Sequence, residues 1–197
     1  DRRGRIRGQE VADLDAAVVR DPRHAAAWVT KATVHVVRGE ALDARQAAGR
    51  VVMLSDPLTA SVVVALVARL EGRSAKAIPQ LTLALERAAA SGRSPEDLRE
   101  IAVWAGTVLA EMLASEVRVT EAESQFRKAL ELAPRDPYLL GAFADFLLDQ
   151  RRAPEVVSLL QEYQRVDGLL LRFVEAQRAV RVGSEASALA ELRGRLE

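Results

Sequence analysis

The sequence predicts an all-α protein, a solenoid of stacked antiparallel helix pairs with about eleven helices, and three observations carry that prediction. Small residues recur at Ala32, Ala65, Ala110, Ala144 and Ala176, and twelve residues after each comes Ala44, Ala77, Ala122, Val156 and Ala188. Between the two marks stands a glycine, at Gly39, Gly72 and Gly183, replaced by Val117 and Arg151 in the other two copies. Asp56-Pro57, Ser94-Pro95 and Asp136-Pro137 read as an N-cap followed by a first helical residue. Self-similarity at a fixed period of roughly 20–50 residues is the mark of a repeat array.

Each observation has a physical cause. Helices packed about 8–10 Å apart need small side chains where they cross and larger ones beside the crossing. Glycine just past a helix adopts the left-handed cap conformation at little cost. Proline at a first helical position gives up an N–H that has no helical partner anyway.

The elements follow in order, within one domain over 1–197. Residues 8–20 match only a second helix, with Leu14, Ala17 and Pro22 keeping the register into Trp28, so the chain reads as starting in mid-repeat. Its first residue is Asp, which reads as a processed or trimmed end. Helical pairs are expected at 25–57, 58–91, 95–135, 136–167 and 168–197, the last turning at Gly183. Val51, Ala84, Ala129 and Tyr163 extend the register seven residues into the second helices. Pro79 is expected to delay or kink the first turn of its helix. The step from Ala84 to Ala129 is long, and the excess is assigned to the Ala88–Arg93 connection and to about two extra turns after Pro95.

Between Thr120 and Pro137 the chain reads T-E-A-E-S-Q-F-R-K-A-L-E-L-A-P-R-D-P. Ala122, Phe126, Ala129 and Pro134 there resemble the second helix of a tetratricopeptide repeat (TPR). Trp28, four residues before Ala32, stands where that family has its tryptophan, and Pro22, Pro57 and Pro134 stand at or next to the family's closing proline. The resemblance covers almost the whole chain and extends to uncharacterised bacterial TPR proteins, some of them exported. His35 and Ala68 depart from it, replacing the usual large first-helix residue.

The resemblance implies a right-handed superhelix whose first helices line a concave groove for an extended peptide or a partner helix. The corresponding residues here are Val29, Thr33 and Val36, then Val62, Leu66 and Arg69, then Trp104, Thr107, Glu111 and Ser115. Tyr138, Gly141, Asp145 and Asp149 follow, then Phe173 and Gln177. The face begins apolar and becomes acidic. For Val29 to Leu66 two readings stand side by side, an open apolar groove and a surface covered by neighbouring helices. The carboxylate clamp of chaperone-binding family members needs asparagines, and this chain has none.

Composition narrows the chemistry. Apolar residues make up 49%, ordinary for a folded protein and too many for a disordered one. Lys plus Arg and Asp plus Glu both total 28, so the net charge is zero and no polyanion partner is indicated. The absence of cysteine excludes disulfides and thiolate chemistry. No apolar run reaches the roughly 18 residues of a membrane helix; Val62–Ala68 and Ile101–Ala110 read as buried helix.

His24 and His35 are eleven residues apart with no metal-binding spacing, so neither a metal nor a cofactor is expected. Glu121 and Glu123 cannot face each other on a helix. Asp145 and Asp149 share a face at i,i+4, which calls for a basic partner group. No phosphate loop or nucleophile elbow is present.

The reading is a non-catalytic protein-interaction scaffold, binding a protein or peptide with an apolar stretch next to Arg or Lys. Self-association through the terminal helices is a further expectation. The alternatives are a nucleic-acid-associated regulator using scattered arginines such as Arg2, Arg3, Arg5 and Arg7, or a structural segment of a larger scaffold. The compartment, cytoplasmic or exported, is left open.

Overall fold

The computed structural model describes residues 12–161 and 167–194 and contains ten helices and no strand among them. Helix α1 covers 12–20. Then come α2 (Ala25–Arg38), α3 (Ala41–Leu54), α4 (Pro57–Leu70), α5 (Ser74–Ala89) and α6 (Pro95–Ser115). The remainder are α7 (Val119–Leu132), α8 (Pro137–Asp149), α9 (Ala153–Leu160) and α10 (Asp167–Gly194). Residues 8–11 of the half-repeat, the arginine cluster at 2–7 and Tyr163 lie outside the described residues.

The three proline-led starts are built as the sequence expects. Asp56 accepts from the amides of Leu58 and Thr59, Ser94 from Asp97 at 3.1 Å, and Asp136 from Leu139 at 2.8 Å. Partial burial works against the Asp56 charge. The Thr59 hydroxyl, the two capped amides and nearby Arg93 outweigh it and hold the carboxyl below its ordinary range.

The repeat is clearest where first helices end. At Gly39, Gly72, Val117 and Arg151, each seven residues past its crossing alanine, φ is 76°, 70°, 61° and 59°. The next amide then reaches back five residues: Glu40 to His35 O (2.9 Å), Arg73 to Ala68 O (2.7 Å), Arg118 to Leu113 O (2.9 Å) and Arg152 to Leu147 O (2.9 Å). This is a Schellman closure used four times. Two of the four sites force an L side chain into left-handed backbone.

A left-handed L residue costs roughly 1–2 kcal/mol, against about 0.5–1 kcal/mol for glycine's extra chain entropy. Val117 is β-branched and 81% exposed, so glycine there would lose no packing. Val117→Gly is therefore expected to stabilise the protein by about 0.5–1 kcal/mol in urea denaturation. A loss of stability would show that the valine contributes something the geometry does not reveal.

The crossing residues lie in the core. Ala32, Ala44, Ala65, Ala77, Ala110, Ala122, Ala144, Val156 and Ala176 are all buried. The chain divides into two compact units, Asp1–Gln125 and Phe126–Glu197. In the first, α2 to α6 pack consecutively, and the first helices also touch, α2 with α4 and α4 with α6. Its α2–α4 core joins Ala32, Ala44, Ala47, Ala48 and Val51 to Val63 and Val67. In the second unit, α8, α9 and α10 pack against one another, and Phe126 meets Phe143 and Phe146 with ring centroids 5.2 and 5.3 Å apart.

Two sequence expectations need correction. No turn forms at Gly183: α10 runs unbroken through it, which accounts for ten helices rather than about eleven. A helical glycine costs only about 1 kcal/mol relative to alanine, so glycine alone does not end a helix. Pro79 does not delay its helix either, because α5 starts at Ser74. Proline removes only the bond to the carbonyl of Ala75, and the turn before it forms without that bond.

Candidate functional site

On α2, Val29, Thr33 and Val36 fall at i, i+4 and i+7 and so share one face. All three are half-buried, and the Thr33 hydroxyl donates back to Val29 O at 2.9 Å. Val29, Val36 and Trp104 pack on the margin of the α2–α4 core. Each therefore offers part of its apolar surface outward while anchored inward.

Val62, Leu66 and Thr107 do not belong to an accessible face, for they are buried. Helix α4 packs against α2, α3, α5 and α6, so little of its circumference is left open. Its sequence, P-L-T-A-S-V-V-V-A-L-V-A-R-L, is apolar nearly all round, as such a central helix must be. Arg69, near its end, pairs with Glu111 of α6 at 2.5 Å, with both side chains about a quarter to a third exposed.

The second unit repeats this theme. Tyr138, Asp145 and Asp149 are exposed on α8, while Phe173 is buried and Gln177 is exposed on α10. Arg172 lies across α8 and donates through both Nε and Nη2 to the two Asp145 oxygens at 2.5 Å. The hydrogen bonds to Asp145 hold the Arg172 guanidinium more firmly protonated than usual, against the opposing effect of its partial burial. The guanidinium passes over Gly141, where a Cβ would stand in ordinary contact with its carbon at 3.4 Å.

The acidic face expected from the sequence is thus largely neutralised from within. Glu111 and Asp145 each have an arginine of this chain as partner, and the basic group that Asp145 calls for is Arg172.

One cluster escaped the sequence reading. His35 is buried at the end of α2, and its Nδ1 donates to Glu40 Oε2 at 2.5 Å. Glu40 occupies the N-cap of α3 but caps nothing with its side chain; its other oxygen lies 3.9 Å from Arg38. Asp43 follows in the first turn of α3, and ligand atoms of the three residues lie within 4.8 Å of one another. They line a cavity of ≈ 580 Å³ together with Trp28, Lys31, Arg38 and Arg50. The legible signal is H-x₄-E-x₂-D spanning a glycine turn, which folds the three residues back on one another.

Helix pairs closed by one repeated left-handed turn, with small buried residues at each crossing, define an all-α, TPR-like helical-repeat fold. A solved structure shares it: PilW, described as a widely conserved type IV pilus biogenesis factor. The TM-score is 0.60 at 18% sequence identity, over 99% of this chain and 89% of that one. No protein-family model and no curated protein matches the sequence. Among the described residues no helix is long and apolar enough to cross a membrane.

Proposed function

We propose that the protein is a non-catalytic interaction scaffold of the TPR type, from a bacterium, holding a peptide or partner helix on the first-helix face of its first unit. One observation carries the reading. Val29, Val36 and Trp104 are anchored in the core yet only half-covered, and the Arg69–Glu111 pair lies on the neighbouring first helices. Anchored, half-covered aromatic and apolar side chains beside charge are what a hot-spot surface needs.

In the second unit the exposed aromatic is Tyr138 at the start of α8, and Asp149 and Gln177 are exposed polar residues of α8 and α10. With Glu111 and Asp145 already paired, apolar contact supplies most of the affinity, and a basic group on the partner is called for only near Asp149. The fold shared with PilW, a type IV pilus biogenesis factor, supports a scaffold role.

Site-specific photo-crosslinking tests this. A crosslinker at Val36 or Tyr138 is expected to capture a partner in the native organism, whereas one at Leu42 or Met53, exposed on second helix α3, is not. Capture only from α3 would overturn the reading. With the captured partner, exchanging Arg69 and Glu111 for each other keeps the internal pair, so stability should change by only about 0–1 kcal/mol. Its expected effect is on association rate and salt dependence.

A further inference from the structure

The three other repeats supply a comparison for the His35 cluster. The residues equivalent to His35, Glu40 and Asp43 are Ala68, Arg73 and Lys76, then Leu113, Arg118 and Glu121, then Leu147, Arg152 and Glu155. In two of those repeats the arginine pairs with the glutamate three residues on, a local ion pair that braces the start of the second helix. In none of them do all three positions carry metal-ligating groups. The first repeat replaces an apolar residue by histidine and an arginine by glutamate, and keeps a carboxylate, Asp43, where two of the others have glutamate, at three positions that the turn brings together.

Core packing does not explain the histidine. Its Nε2 is buried without a hydrogen-bond partner, a desolvation cost that alanine or leucine avoids in the other repeats. What the ring gains lies on its Nδ1 side, which faces Glu40.

We propose that His35, Glu40 and Asp43 form a binding site for a first-row transition-metal dication, with Zn²⁺ the reference ion. The donor set of one imidazole and two carboxylates suits that class, whereas Ca²⁺ and Mg²⁺ sites are built from oxygen. Zinc holds nitrogen and oxygen at about 2.0–2.2 Å, so donors at a tetrahedral angle sit roughly 3.3 Å apart. His35 Nδ1 and Glu40 Oε2 must open from 2.5 Å, and Asp43 must close in by a rotamer change. Both shifts are small for an exposed aspartate and for a glutamate that caps no amide.

Three protein ligands leave a coordination position toward the cavity, for solvent. The cavity's cations do not block the ion. Lys31 is held by Asp15 at 2.5 Å, and Lys31 and Arg50 lie over the Trp28 ring. Among the described residues the cation paired with Glu40 is Arg38, and it sits 3.9 Å away, beyond hydrogen-bond range.

The test is calorimetric titration of Zn²⁺ into the full chain with any histidine tag removed, paired with Co²⁺ titration read by visible d–d absorption. One saturable site per chain is expected. Only two histidines and no cysteine are present, so background binding is low. Glu40→Gln and Asp43→Asn, at partly or fully exposed positions that leave the core intact, should each weaken uptake at least about tenfold. His24→Asn, which can still cap α2, should leave it unchanged. Absence of saturable uptake of either ion, or unchanged uptake by both carboxylate variants, would overturn the proposal.

Discussion

Phe126→Ala is expected to destabilise the second unit by about 3–5 kcal/mol, the range of a large aromatic deleted from a close-packed core. Phe126 is 1% exposed, and its ring lies 5.2 Å from Phe143 and 5.3 Å from Phe146. Phe143 and Phe146 are 6.1 Å apart, so the three rings form a closed trio rather than a chain. Each aromatic pair adds about 0.5–1.5 kcal/mol beyond area burial, and two of the three pairs vanish with Phe126.

Both tryptophans, Trp28 and Trp104, lie in the first unit, so tryptophan fluorescence does not report on this change. Urea denaturation followed by far-ultraviolet circular dichroism does. Phe126→Leu should recover part of the loss, because it restores volume without the ring contacts. A loss below about 1 kcal/mol for Phe126→Ala would mean that the trio is not the core of its unit.

The fold was legible because the repeat writes it several times over. A single alanine means little, but alanines at a constant twelve-residue offset fix crossing points, and those crossings are buried. The same register located Val117 and Arg151 as turn residues although neither is glycine, and both take positive φ. Local signals that depend on one residue alone were weaker: Gly183 does not end α10, and Pro79, inside α5, does not delay its start at Ser74.

The candidate site was less legible, for two reasons. Whether Leu66 and Phe173 are covered depends on how many neighbours surround their helices, and helical spacing does not contain that information. The ion pairs join residues 42 and 27 positions apart, so Glu111 and Asp145 read as unpartnered acids until the helices are brought side by side. The His35 cluster lies between these cases. Its residues are near in sequence, but they converge only if Gly39 turns left-handed and Glu40 declines to cap.

Ala110→Leu is expected to cost about 1–3 kcal/mol by overpacking. Ala110 has no exposed surface and sits on α6, which packs against both α4 and α5. Around it Val108, Leu109, Met112 and Leu113 are also buried, so no void is at hand for three added carbons. Alanine and leucine are both strong helix formers, so the loss would report packing rather than helix propensity. Ala89→Leu, at the exposed end of α5, provides the control and should change stability by less than about 0.5 kcal/mol.

Trp104 lies six residues before Ala110 on the same helix, so tryptophan fluorescence in urea reads this substitution directly. If Ala110→Leu is as mild as Ala89→Leu, the close approach of helices at that crossing is wrong. If it costs as expected, the same substitution at Ala32, also fully buried at its crossing, should cost a similar amount. Unequal costs would measure how far each crossing can yield.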